Sequence, residues 1–421
     1  MSLKKWFDLI LVLVVGIVAL TYSGLPPGDQ MERVRAYSRD LEFDYIAWTL
    51  EALEVKLAQL ALQAGDFLPE EARHRLVLDY LALVDQINQA ENQLNEIYAN
   101  PEIFDPDHTA APVRSKMEKL YTRRTQLAPL VESILQDQIS ETVANLGLAL
   151  GGQAIPPVLY HSTPLPTALI VSPRTKIRQD ANISLQPELS ADERSILEEK
   201  IDSALDVSSL IVNIGGVGVY PTMVAQTSDL NFLSEVVAHE WVHNFLTLRP
   251  LGINYLTSPE LRTMNETAAS IAGKEIGRLV LEHYYPELVP PTPAPPQPPG
   301  SGEPPEPPAF DFQEEMHTTR VTVDQLLAEG KIIEAEDYMD ARRRFFWDNG
   351  YLIRKINQAY FAFYGAYADE PGGAAGEDPV GAAVRDLRAQ SPSLAAFLKR
   401  IAWMTSFEQL QEEVESASPV G

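Results

Sequence analysis

Apolar positions recur every three or four residues through most of residues 28–150. Ile46, Leu50, Leu53, Leu57 and Leu60 repeat at 4-3-4-3 spacing, the period of a helix that keeps one apolar stripe on one side. Tyr80, Val84, Ile87 and Leu94 extend the pattern into a second helix. Met117, Leu120, Leu127, Val131 and Ile134 mark a third, with Pro129 as a candidate kink. Turns are expected near Gly65–Pro69 and Asn100–Pro112. These stripes predict the core of an antiparallel helical bundle. A coiled coil that binds a partner is the other reading.

The pattern changes after residue 150. VLYHS, TALIVS and NISLQ are short β-like runs separated by prolines. Ser190 and Glu193 form a capping box ahead of a helix over about 191–205. SSLIVNI and GGVGVYPTMVAQ then read as strands, so a small mixed or antiparallel sheet is expected. Helical periodicity returns from Asp229 to Tyr285, broken at RPLGINYLTSP. Residues 290–308 hold eleven prolines in nineteen positions and predict an exposed extended linker or loop. Residues 320–415 are helical again around the loop DEPGGAAGEDP. The expected class is mainly α (α+β): a helical bundle at 28–150, a small sheet with a helical core at 151–288, a proline-rich segment at 289–309, and a helical part at 310–421.

At the N-terminus, Lys4 and Lys5 precede an uncharged apolar run from Leu9 to Leu20. That length lies between a signal-peptide core and a spanning helix. Residues 1–24 are therefore read as a signal anchor or signal peptide, with the remainder on the far side of the membrane from the lysines. The chain carries 33 Lys and Arg against 59 Asp and Glu, a formal charge of −26. Such a balance argues against nucleic acid as a partner. There is no cysteine, so any metal must be held by His, Asp or Glu.

Two of the seven histidines fall in VVAHEWVHNFL. His239 and His243 are one helical turn apart, so both imidazoles share a face and can meet one zinc ion. Glu240 lies beside that face, placed to take a proton from water acidified by the metal. The bland alternative is a pair of structural or surface histidines. A catalytic zinc takes three protein ligands and keeps one position open. A third histidine six residues past His243 is ruled out by Arg249, and no aspartate occurs between Asn244 and Phe310. His283 lies near the far end of the second helix. Glu260, Glu266, Glu275 and Glu282 are left, and Glu266 is favoured. It follows His243 by 23 residues on a helix that Ser258 and Pro259 start. Ala269, Gly273 and Gly277 behind it let two helices approach closely.

HEWVH followed by NETAAS resembles the H-E-x-x-H plus N-E-x-x-(A/S) arrangement of gluzincin metallopeptidases. More closely it is similar to a family of predicted aminopeptidases of the bacterial envelope. That family also carries an N-N-A segment ending in tyrosine, and NQAYFAFYGAY at 357–367 is its counterpart, with Gln358 in place of the second Asn. The resemblance spans about residues 215–410. It implies that His239, His243 and Glu266 bind Zn2+ and that Glu240 is the general base.

Asn357, Tyr360, Tyr364 and Tyr367 recur at 3-4-3 spacing, so one helix face is expected to present four polar tips. Tyr367, at the family-like tyrosine position, is the first choice as oxyanion donor and Tyr364 the second. Arg342, Arg343 and Arg344 are read as a solvated face or a receiver for a substrate carboxylate. Ser270 is a candidate partner for a ligand. The GGVGVYPTMVA run, with Gly215, Gly216 and Gly218, is read as an edge strand that could carry a peptide substrate, or as a plain hairpin strand. The expected activity is zinc-dependent peptide hydrolysis outside the cytoplasm, with aminopeptidase action implied by the resemblance. No acidic cluster that would capture an amine is identifiable, so endopeptidase action stays open. The competing expectations are a non-catalytic envelope protein with a structural metal and a partner-binding helical region, and a zinc hydrolase of non-peptide amides.

Overall fold

The computed structural model describes residues 30–62, 67–99, 103–187, 189–290, 310–368, 373–376 and 378–417. Most of them are helical, with three small sheets. No helix among the described residues is long and apolar enough to cross a membrane. The run at 1–24 expected in that role, and the proline-rich segment, lie outside the described residues.

Helices α1 (Gln30–Ser38), α2 (Tyr45–Leu62), α3 (Glu70–Ala99) and α4 (Pro106–Asn145) occupy the first third. α4 starts earlier than the turn signals suggested. Asp105 caps it by accepting from the His108 N–H, and Pro106 fills the first turn, where no N–H is needed. Pro112 and Pro129 both lie inside this one helix. The stripes of α3 and α4 meet as expected: Val77, Val84, Ile87, Val131 and Ile134 are buried. α1 is an exception to the bundle. It packs on the sheet through Val34.

α2 overturns the expectation for its stripe. Ile46 and Leu50 are 61% and 62% exposed and Leu57 is 40% exposed, whereas Thr49, Ala52 and Lys56 are buried. The reason is a polar anchor. Lys56 Nζ donates to Glu132 Oε2 of α4 at 2.5 Å, and Glu132 also faces His161 Nδ1 at 3.1 Å and accepts from the Ser162 N–H at 2.9 Å. Burial raises the Glu132 carboxyl, but Lys56 and His161 outweigh it and hold the group down at about 2. Since the folded value lies below the ordinary 4.5, this carboxylate contributes stability above about pH 4.5 that is lost as pH falls through about 2. Urea unfolding across that window should show the decline, and Glu132→Gln should flatten it.

Strands β1 (Ala149–Leu150) and β2 (Gln153–Ala154) form a small hairpin. β4 (Thr167–Pro173) lies between β5 (Ala181–Leu185) and β6 (Val207–Asn213), antiparallel to both. Both faces of this sheet are covered, which is why β4 reads as an unbroken apolar run. Leu169 and Val171 meet α1 and α5 (Ala191–Leu205), whose capping box forms as read. Ala168 and Ile170 meet the C-terminal helices that follow. A third sheet has the order β3 (Tyr160–Ser162), β8 (Thr222–Val224), β7 (Gly216–Val217). β3 runs parallel to β8, and β7 antiparallel.

The largest core surrounds α6 (Leu230–Thr247) and α8 (Pro259–Tyr284), joined through the short helix α7 (Pro250–Ile253). α3, α4 and the last three helices, α12 (Pro379–Gln390), α13 (Leu394–Ile401) and α14 (Phe407–Ala417), wrap that pair. α9 (Phe312–Ala328), α10 (Ile332–Asp348) and α11 (Gln358–Tyr364) close over the β4 sheet.

Candidate metal centre

The centre is built on two helices whose starts are set locally. Asp229 caps α6 by accepting from the Phe232 N–H at 3.1 Å. Ser258 caps α8 by accepting from the Leu261 N–H at 3.2 Å, with Pro259 next. On α6, Val237, Ala238, Trp241, Val242 and Phe245 are buried. The Trp241 indole N–H donates to Pro156 O at 2.7 Å, which fixes the helix's rotation. His239 and His243 are thereby turned towards α8.

Small residues bring the helices together. A Cβ on Gly273 would lie 2.9 Å from Glu235 O and 3.0 Å from His239 Cβ. Gly273→Ala should therefore force α8 off α6. A loss of about 1–3 kcal/mol is expected from such overpacking, together with weaker metal binding. Thermal unfolding with and without zinc reads both effects.

His239 Nε2 and His243 Nε2 are 3.0 Å apart. Glu266 Oε2 lies 3.6 Å from the first and 3.4 Å from the second. These separations bracket the edge of about 3.3 Å expected for a tetrahedron with metal–ligand bonds near 2.0–2.1 Å. Glu266 Oε2 is buried and makes no hydrogen bond of ordinary geometry. A buried carboxylate oxygen with no donor at hydrogen-bond distance, facing two imidazole nitrogens, leaves a place that a cation can fill. His239, His243 and Glu266 thus form a group that can hold a metal ion, and their nitrogen and oxygen donors suit zinc.

Surrounding groups orient the ligands. Asn265 Oδ1 lies 2.8 Å from His243 Nδ1. A carbonyl oxygen only accepts, so Nδ1 carries the proton and Nε2 keeps its lone pair for the ion. Ser270 Oγ is 3.5 Å from His239 Nδ1, in the place suggested for it. The Tyr255 hydroxyl donates to Glu266 Oε1, leaving Oε2 for the metal. Arg262, one turn before Glu266, donates to Ala362 O at 2.9 Å. Burial raises the Glu266 carboxyl, yet the histidines win and hold it well below its usual range. Burial lowers the His243 imidazole, but Glu266 prevails and, without an ion, raises it to about 9, so a metal binding at Nε2 has to displace that proton. Glu240 is pushed up, chiefly by burial.

The other acids weighed as ligands lie outside this group, Glu260 exposed in the first turn of α8. Glu275 takes two bonds from Arg388 at 2.6 and 2.7 Å, and Glu282 accepts from Arg278 at 2.7 Å. His283 stacks edge-on against Tyr284.

Glu240 reaches towards β7. A Cβ on Gly216 would sit 2.7 Å from Glu240 Oε1 and 2.8 Å from Val236 Cγ1, so only glycine lets this strand lie against the motif helix. β7 is the outer strand of its sheet, and its free edge has no strand partner among the described residues.

The C-terminal tyrosines do not share one helix face. Asn357 is the cap of α11, accepting from the Tyr360 N–H and donating to Ser209 O, and the helix ends at Tyr364 with Gly365 after it. Tyr367 lies beyond that end, its ring 6.2 Å from His239. Although Tyr367 is 36% exposed, desolvation of its hydroxyl and the nearby Glu266 carboxylate push the phenol well above its ordinary value. Tyr364 packs on Tyr360 and Phe363 instead. Arg342 is largely buried between α10 and α9, donating to Thr319 Oγ1 and pairing with Glu315, whereas Arg343 and Arg344 pair with Asp340 of their own helix. Tyr255 and Arg262 escaped the sequence reading. Arg262 had a signal, its one-turn spacing from Glu266, whereas Tyr255 sits in a connecting segment with none. Compared with known proteins, the chain matches no family model, no curated protein and no solved structure.

Proposed function

We propose that the chain is a zinc-dependent peptidase that works outside the cytoplasm, held at the membrane by its N-terminal segment. One observation carries the reading: two imidazoles and a buried carboxylate converge while a second carboxylate, Glu240, stands beside them against an outer strand. A zinc ion held there would supply a Lewis acid, lowering a water's pKa from about 15.7 towards 7. Glu240 takes the proton of the attacking water and passes it to the leaving amine. Asn265 and Ser270 hold the imidazoles in place. Tyr367 donates to the carbonyl oxygen as charge develops on it. The free edge of β7 pairs with the substrate backbone, which suits a peptide of loose sequence preference. The charge of −26 argues against nucleic acid as the partner.

Tyr367→Phe should lower turnover by about 10²–10³-fold, as loss of one oxyanion donor does, whereas Tyr364→Phe should leave it nearly unchanged. Steady-state kinetics on a mixed peptide pool measures both. The reading is tested by incubating the full chain with that pool, then with a chelator, then with zinc restored. Cleavage that stops and returns supports it. A chain that binds zinc and cleaves no peptide would instead be the non-catalytic protein.

A further inference from the structure

Arg262 is a buried charge beside the metal centre to which the chemistry proposed above gives no part. It is 9% exposed and stands one helical turn before Glu266, on the same face of α8. A guanidinium taken out of water is costly unless its donors are used. One goes to Ala362 O of α11, at 2.9 Å. The guanidinium also acts as a donor towards the Tyr255 hydroxyl, and that hydroxyl donates in turn to Glu266 Oε1. The relay therefore ends on a ligand. Oε1 is taken, and Oε2, which accepts no hydrogen bond, faces the two imidazoles. The Tyr255 ring also stands edge-on to His243, with centroids 6.2 Å apart. Tyr255 needs such a hold. It lies in the connection between α7 and α8, where Ile253 and Leu256 are 51% and 78% exposed, so the segment has little packing of its own.

We propose that Arg262 is a positioning residue that acts on the metal through Tyr255: it presents the hydroxyl to Glu266 Oε1, and that bond limits the carboxylate to one metal-binding oxygen, Oε2. A donor to a hydroxyl's oxygen strengthens the bond that the hydroxyl itself gives, so the guanidinium tightens Tyr255 on Glu266. Three ligands of one atom each leave a position of the tetrahedron open. A carboxylate that turns both oxygens to the ion, as carboxylates can, would crowd that position. This role presumes an ion at His239, His243 and Glu266, whatever bond the chain cleaves.

The full-length chain, Tyr255→Phe, Arg262→Met and the double variant are each loaded with one equivalent of cobalt(II). Its visible bands are intense in a four-coordinate site and weaken as coordination rises. Zinc affinity is measured alongside by competition with a chelator. Tyr255→Phe should show weakened bands and bind zinc about 10–100-fold less tightly, as loss of a group that orients a ligand does. Arg262→Met should move both readouts in the same direction. Adding it to Tyr255→Phe should change zinc affinity by less than about twofold, because residues that act as one unit are not additive. A side chain that only supports packing would give additive losses and leave the cobalt bands as they are. Bands in Tyr255→Phe like those of the unaltered chain would overturn the proposal, and so would full additivity in the double variant. Tyr255→Phe decides alone if Arg262→Met does not fold. An unaltered chain that takes up no cobalt would remove the metal centre and the relay with it. Peptide cleavage plays no part in these readouts, so failure of the peptidase reading is not mistaken for failure of this one.

Discussion

Glu240→Gln is expected to lower peptide hydrolysis by at least about 100-fold while zinc content and thermal stability stay at the level of the unaltered chain. The magnitude follows from the usual 10²–10⁴-fold contribution of a positioned general base. The sparing of metal and fold follows from where Glu240 lies. It is one residue from His239 but outside the ligand group of His239, His243 and Glu266, with its oxygens turned towards Gly216 and Gly218. Glutamine keeps the shape that fits against β7 and removes only the capacity to accept a proton. Peptide turnover, metal analysis and a melting curve on one preparation separate these effects. Unchanged turnover would remove Glu240 from the reaction.

Removing a ligand should act in the opposite order, on the metal first. His243→Ala and Glu266→Gln are each expected to weaken zinc binding by more than about 100-fold, because altering even the groups that orient ligands costs 10–100-fold. Activity should then disappear with the ion. A melting experiment shows the loss independently of any substrate. An ion that binds the folded chain at 100 times its dissociation constant stabilises it by about 2.7 kcal/mol. Zinc should raise the melting temperature of the unaltered chain and leave that of His243→Ala where it was. Asn265→Ala should fall between, with the ion bound more weakly but still bound.

The centre's chemistry is local in the chain, and so it is legible in the sequence. His239, Glu240 and His243 lie within one turn of a helix, and Ser258, Pro259 and the small residues of α8 announce the helix that brings Glu266. Residue type and spacing carry that information. Contacts between distant segments decide the rest. Periodicity revealed a stripe at Ile46, Leu50, Leu53 and Leu57, but not which way it faces. That was settled by the pairing of Lys56 with Glu132, 76 positions away, and no local pattern records it. The 3-4-3 run through Tyr367 suggested one helix, yet α11 stops at Tyr364, and only past its end does the chain bring Tyr367 beside His239. Tyr255 reaches Glu266 from the connection between α6 and α8, where length and polarity say nothing about direction.

The proposed chemistry turns on one ion held by three side chains. Anomalous diffraction at the zinc edge, from crystals grown with one equivalent of zinc, tests it most directly. It should place a single ion about 2.0–2.2 Å from His239 Nε2, His243 Nε2 and a Glu266 oxygen. Zinc bound elsewhere, or imidazoles that stay empty beside the ion's equivalent in solution, would contradict it.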